Sequence, residues 1–417
     1  METPSASGPL AVRAITRRYY AVRLFDAIGP SFIFAIYPLF MHARGLNQFQ
    51  MNCVAATYFL MTFLTDIPTG AFADAVGRRV SYVMGCALSV VAFMIYFYAF
   101  RYSTFLIAEI IDAVGGTLRN GAADAWAVDA LDDAGHVGSK DLIFSRVAQV
   151  FRFGAMFGAL IGAYCARIDI ALPWLLGAGA QALMGVAAFF LMRREKRRGV
   201  APTMNTIVAQ VRTRVIGGIR EGIHTRVILM LAVANAITVV AWAPQWFEWP
   251  LFFNAAFNSG PQVVGWLYGL FAVAGMIGSE ICARLYLEKS SRAAFLGGGV
   301  IIQSACFLAA GVFFERMWLV MGFFCAANLI AGVLGPIYMS WYNEEIDEAH
   351  RATMLSFQTT FTTFGSAVGL PLGGGLADRF GLAIAWKFGG ILSAVSAPIY
   401  LALRTKPHPQ VVPSEVD

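Results

Sequence analysis

The sequence predicts an all-α membrane protein, with twelve transmembrane helices arranged as two six-helix bundles, and three observations carry that prediction. The chain of 417 residues is 58% hydrophobic and only 13% charged, a composition that no soluble fold of this length tolerates on its surface. Its apolar residues gather in runs of about twenty, long enough to cross ~30 Å of hydrocarbon at ~1.5 Å per residue. The basic residues fall mostly in the short segments between those runs. The net charge of +6 therefore reflects membrane topology and implies no nucleic-acid partner.

Taken in order, the spans are expected at 19–41, 50–72, 79–100, 103–126, 144–166, 171–192, 227–247, 262–284, 293–313, 317–340, 353–375 and 383–403. Residues 1–18 hold Arg13, Arg17 and Arg18 with no apolar core ahead of them, and the first run is too long for a signal peptide, so the first span is expected to stay in the mature protein. With a cytoplasmic N-terminus, the large majority of the 31 Lys and Arg residues fall inside, which also puts the C-terminus in the cytoplasm. Between spans six and seven, the cluster Arg193-Arg194-Glu195-Lys196-Arg197-Arg198 precedes Ile207, Val208, Val211, Val215, Ile216 and Ile219 at helical spacing. This reads as an amphipathic linker on the inner membrane surface, either fixing topology or binding lipid as a switch. The expected division is a first bundle over 1–192, the linker over 193–226, and a second bundle with a short cytoplasmic tail over 227–417.

Cys53, Cys86, Cys165, Cys282, Cys306 and Cys325 lie singly inside apolar runs. That spacing argues against disulfides and zinc and for packing. The five histidines fall in loops or tails, and no Gly-x-x-x-x-Gly-Lys-Ser/Thr loop exists for nucleotide hydrolysis. Neither an enzyme nor a cofactor is expected.

Between spans two and three, Gly70-Ala71-Phe72-Ala73-Asp74-Ala75-Val76-Gly77-Arg78-Arg79 places charge and glycine between two apolar runs. It reads as a very short hairpin in which Gly70 and Gly77 turn the backbone, Asp74 accepts from helix N-terminal amides, and Arg78 and Arg79 sit at the membrane edge. With Pro68 just ahead, the stretch resembles the signature loop of the major facilitator superfamily: Gly, a small or apolar pair, Asp, then Gly-Arg-Arg/Lys. The resemblance covers essentially the whole chain and implies two rocking halves that expose one midplane site alternately. It also implies that Asp74 closes the cytoplasmic side by meeting the start of span eleven, where Arg351 resembles the superfamily's boundary arginine. Arg78 then pairs with an acidic residue at the end of span four, a place held here by Asp129, giving a latch of Asp74, Arg78 and Asp129. Asp66 matches an acidic residue found just ahead of the loop in relatives, with gating and structural pairing both open. In the second half, Gly278-Ser279-Glu280 with Arg284, Lys289 and Arg292 is a degenerate echo. The better copy, Gly373 to Gly381, falls on the outer face and reads as a tight turn.

An ionisable side chain in hydrocarbon costs at least ~2.5–3.5 kcal/mol, so each is by default paired or functional. The first half carries Asp26, Asp66, Glu109, Asp112, Arg119, Asp124 and Arg152 in or beside its spans, and the second has almost none beyond Glu280. Asp26, on a helix kinked by Pro30 and Pro38, is the first candidate proton carrier; the alternative is a static pair with Arg23 or with an arginine of a neighbouring helix. Asp112 is the second. Many proton-coupled exporters of the superfamily hold an arginine at or near this place, so the carboxylate departs from their pattern. Arg119, seven residues on and near the same helical face, is positioned to supply the missing charge. A network of Asp112, Arg119 and Arg152 is expected, either binding substrate or purely structural. Gly154, Gly158 and Gly162 form a small-residue seam on span five, without the Gly-Pro pair usual in exporters.

The second half offers Asn235, Trp242, Asn328, Tyr338 and Gln358 on spans that line the cavity in relatives, while Trp246 and Trp249 read as interfacial anchors. An aromatic wall facing a charged one suits an amphipathic small molecule. The expectation is proton-coupled efflux of such a compound (drug, siderophore or other metabolite) across a bacterial inner membrane by a monomer whose partners are substrate, protons and the bilayer. The alternatives are an uptake symporter for an organic anion or siderophore and, from another class, a non-transporting membrane sensor.

Overall fold

A computed structural model describes residues 8–136, 138, 140–192, 225–285, 291–346 and 351–403. The linker expected over 193–226 lies almost wholly outside the described residues, as does the tail after 403. The helices are α1 (Pro9–Phe34), α2 (Tyr37–Ala43), α3 (Gln48–Val76), α4 (Arg78–Phe97), α5 (Tyr102–Asp133), α6 (Asp141–Ala166) and α7 (Leu172–Leu191) in the first half. The second half holds α8 (Arg226–Phe257), α9 (Gln262–Arg284), α10 (Arg292–Val312), α11 (Met317–Glu344), α12 (Arg351–Phe380), α13 (Leu382–Ala394) and α14 (Ala397–Leu401). Each of the twelve expected spans corresponds to one helix or one broken pair. Among the described residues, nine stretches are long and apolar enough to cross a membrane by length and composition. The other three helices, α3, α5 and α12, run for 29, 32 and 30 residues and carry more charged and polar residues.

Several boundaries differ from the sequence reading, each for a local reason. The first span is broken at Ala35–Ile36, where Pro38 sits in the first turn of α2, and the last is broken at Val395–Ser396, with Pro398 in the first turn of α14. Proline lacks the N–H that a continuing helix needs but fits a new first turn. Gly70 is not a turn residue: α3 runs straight through it, and Gly77 alone, at φ +102°, separates α3 from α4. The expected tight turn over 373–381 is also helical as far as Phe380, with Gly381 at φ +85° as its one-residue junction to α13. Finally, α8 continues ten residues past the expected end through Pro244 and Pro250.

Close helix pairs are made by glycine. A Cβ on Gly162 of α6 would collide with the Phe32 backbone of α1, and one on Gly158 would meet Ser31 and Ile28, which bears out the small-residue seam on span five. The second half repeats the device: Gly369 of α12 lies against Val240 of α8, and Gly278 of α9 against Leu329 of α11. Outward-facing Ile107, Phe157, Phe190, Ile302, Trp318 and Phe364 form the apolar exterior that hydrocarbon accepts.

Helix directions put both described chain ends on one face, the near side. On the opposite, far side the apolar core is continuous between bundles, with Phe40, Phe93 and Trp174 of the first joined to Trp249, Phe253 and Phe271 of the second. On the near side the core is divided: one cluster around Tyr82, Trp126 and Met184 belongs wholly to the first bundle, and another around Leu231, Trp341 and Tyr400 wholly to the second. The bundles are therefore sealed together at the far side and packed separately at the near side.

Candidate functional site

Asp26 on α1 is buried at 5% exposure and accepts from Arg119 Nη1 at 2.8 Å and from Arg23 Nη1 at 3.2 Å. Arg119 reaches it from α5 because Gly85 of α4 and Gly115 of α5 let the helices close; a Cβ on Gly85 would lie 2.6 Å from Arg119 Cγ. The same Nη1 donates to Gln181 Oε1 on α7 at 3.2 Å. Arg23 carries the chain onward, pairing with Asp124, which also accepts from the Tyr19 hydroxyl. Two arginines thus balance two aspartates across two helices, α1 and α5, with a third, α7, contributing an amide. The sequence reading left Asp26 between proton carrier and ion pair, and the paired geometry is the one present.

Among the described residues no ion pair links Asp112, Arg119 and Arg152 into the expected network, although the charges of Asp112 and Arg119 are near enough to interact. Arg119 is engaged by Asp26, while Asp112, half-buried, accepts from Ser89 Oγ at 2.7 Å. Arg152 is exposed on α6, away from the Gly154–Gly158 face that packs on α1. The seven-residue spacing did place Asp112 and Arg119 near one face, but the Gly85–Gly115 contact steers the guanidinium to α1 instead.

Two buried carboxyl groups have no role in the sequence reading: Glu109, counted only among the charges of the first half, and Glu248, not singled out at all. Glu109 of α5 accepts from the Tyr37 hydroxyl at 2.8 Å and from that of Tyr96, whose ring stacks on Trp174 at 4.0 Å. Glu248, on the extension of α8, has no exposed surface and accepts from Asn52 Nδ2 of α3 at 2.9 Å. This corrects the reading of an almost uncharged second half: the expected end of span seven is 247, whereas α8 runs on to Phe257 and the apolar run Leu251-Phe252-Phe253 is buried.

In the second bundle, Trp242, Trp246, Phe307, Phe324, Ala327 and Asn328 line a pocket. The Trp242 indole nitrogen is buried without a partner among the described residues, and its ring meets Phe307 edge-on. Asn328 Nδ2 is spent on the Phe324 carbonyl of its own helix at 2.8 Å, and Asn235 donates to Thr362 Oγ1 of α12 at 3.0 Å. Gln358 is half-buried on α12. Tyr338 belongs elsewhere: it is buried in the near-side core, stacked on Tyr342, with its hydroxyl reaching the Leu231 carbonyl at 3.4 Å. Trp249, read as an interfacial anchor, is likewise a core residue against Phe271.

On the near side, the Asp74 carboxylate pairs with Arg78 at 2.7 Å one turn away and is 63% exposed. Arg79 lies over the Phe189 ring at 4.7 Å and donates to the Phe189 carbonyl, tying α4 to α7. Asp66 is exposed on α3 and Asp129 is half-buried on α5. Arg351 opens α12, and its side chain lies outside the described residues. On the far side, Asp378 accepts from the Gln48 and Phe49 amides, both at 2.9 Å, and so caps α3 from the other bundle. The segment read as a mere turn is a point of contact between bundles.

Among solved structures, the chain is similar to the nucleoside transporter NupG (TM-score 0.74, 10% identity, covering 93% of this chain and 98% of that one). It is similar also to tetrameric PepTSo2 (TM-score 0.69, 14% identity, 94% and 98%) and to the human organic anion transporter MFSD10 (TM-score 0.61, 11% identity, 94% and 100%). In sequence it is 18% identical over 387 residues to the uncharacterized MFS-type transporter YxaM of Bacillus subtilis strain 168, covering 87% of this chain and 90% of that protein. The Major Facilitator Superfamily model matches twice, over residues 20–246 and 231–416. The signature loop, the twelve spans and these matches converge: this chain belongs to the Major Facilitator Superfamily and is a membrane transporter of that kind.

Proposed function

We propose that this transporter couples protons to the export of a small amphipathic organic compound by alternating access, and that Asp26 carries the coupling proton. The observation that bears the reading is the buried chain of Asp124, Arg23, Asp26 and Arg119. Charges at membrane depth are expensive, and an aspartate shared by two arginines can exchange one partner for a proton as its surroundings change. Asp112, with Ser89 as its hydrogen-bond donor, is a second place for a proton or for a positively charged substrate group. The pocket lined by Trp242, Phe307 and Asn328 supplies apolar surface and a free indole donor for the rest of the molecule. In this reading the protein acts as a monomer in a bacterial inner membrane, with bundles over 1–192 and 227–417 joined by the linker 193–226. Both termini are then cytoplasmic, the near side is the cytoplasmic side, and the conformation described is open inward.

The test is flux of a fluorescent amphipathic cation in proteoliposomes under an imposed pH gradient, with Asp26→Asn alongside. Export coupled to protons moves the probe against the proton gradient. Asp26→Asn abolishes that coupling while leaving a folded protein, because asparagine still accepts from Arg119 and Arg23 retains Asp124. PH-driven transport at full rate in this variant would refute the role of Asp26. A second reading, uptake by symport, is favoured by Asp112 standing where exporters hold an arginine and by the missing Gly-Pro pair on α6. Accumulation that runs with the proton gradient selects it.

A further inference from the structure

Glu248 lies in the far-side seam between bundles, with no exposed surface. Its Oε1 accepts from Asn52 Nδ2 at 2.9 Å, and the same amide nitrogen donates to the Gln48 carbonyl at 2.9 Å. Beyond that bond the carboxyl group faces the indole N–H of Trp386, which has no other partner among the described residues, while Asn52 Oδ1, an acceptor on the neighbouring side chain, is buried with none. An ionised carboxylate offers acceptors only. In this seam it would have only two neutral donors, the Asn52 amide and the Trp386 indole, and no counter-ion, beside an orphan acceptor.

The groups facing Glu248 add no positive charge. From α3 comes the neutral Asn52, from α13 the indole of Trp386, and from α12 the carboxylate of Asp378. On α8 itself, Gln245 is occupied with the Trp386 carbonyl. The nearby cations are committed elsewhere: Arg379 is exposed, and the Lys387 stem lies against Gly311 of α10. No ion pair within the described residues joins a cation to Glu248.

We propose that Glu248 is a proton-binding site of the far-side seam, which closes around the neutral acid and opens when the proton leaves. A proton on the carboxyl group removes a charge that has no counter-ion from a dry interface. Loss of that proton makes water the better partner. Water can reach the group only if Asn52 and Glu248 part, which also draws α3 away from the Asp378 cap. Higher pH therefore favours an open far side and lower pH a closed one. The site deepens the proton-coupled reading given above and rests on it, but its test needs no flux, so the two can fail separately.

The test is hydrogen–deuterium exchange of the protein in lipid nanodiscs, followed at residues 46–56 and 245–257 from mildly acidic to alkaline conditions and corrected for the intrinsic exchange rate. In the unmodified protein, exchange of these segments is expected to rise several-fold with pH. Glu248→Gln, which cannot ionise, is expected to hold them at the acidic level throughout, and Glu248→Asp is expected to keep the rise. An equal rise in Glu248→Gln would overturn the proposal. A pH-independent far side in the unmodified protein would do so whether or not the variant folds.

Discussion

In the first bundle α1 and α6 close on Gly162, and the space beside that seam is filled by Arg23, Asp26, Arg119 and Asp124. In the second bundle α8 and α12 close on Gly369, and the space nearby is filled by Asn235, Thr362, Trp242 and Phe307. The packing device is the same, while the chemistry it encloses differs. Glycine fixes how near the helices come, and what stands beside the glycine decides whether the interior can hold an ion. Charges concentrated on one side can change partners without disturbing the other, which is free to present rings and amides to a guest.

The difference can be broken most sharply at Arg119. Arg119→Leu leaves Asp26 with Arg23 alone in a dry interior, and breaking a buried pair costs about 3–5 kcal/mol. The expected result is a large fall in the detergent-solubilised protein's unfolding temperature, with partial recovery in the Asp26→Asn/Arg119→Leu double variant, where no charge is orphaned. Next come the two seams. Gly162→Ala and Gly369→Ala each put a methyl into a backbone of the facing helix, and each is expected to destabilise by about 1–3 kcal/mol. Equal losses in thermal unfolding confirm that the seams are equivalent; a loss confined to Gly162→Ala would mean that only the charged bundle is rigidly packed. The smallest effect belongs to the aromatic side. Trp242→Ala is expected to raise KM for transport about tenfold with little change in kcat, equivalent to ~1.4 kcal/mol of binding. A change in the proton dependence of that variant would erase the division of labour between bundles.

Much of this was legible in the chain itself. Apolar runs gave all twelve spans, and the cost of charge in hydrocarbon pointed to Asp26 and Arg119 before any geometry was known. Partner choice was not legible, because it depends on how closely neighbouring helices approach. The seven-residue spacing favoured Asp112 for Arg119, yet the Gly85–Gly115 contact, between residues thirty apart in sequence, sends that guanidinium to Asp26. Glu248 lay one residue past the expected end of span seven, whereas the helix continues through Pro250 to Phe257. Tyr338 shows the converse limit: a polar aromatic on a cavity-lining span points into the core. Periodicity assigns a residue to a helix, and only the neighbours assign it a direction.

The one-residue junctions at Gly77 and Gly381 carry a mechanical implication. Each couples two membrane-crossing rods, α3 to α4 and α12 to α13, through a single left-handed residue. Such an elbow has no slack to absorb a tilt, so leverage applied at one rod is delivered to the next. Lengthening either elbow by a few flexible residues would act as a clutch, leaving both domains folded but uncoupling their motion.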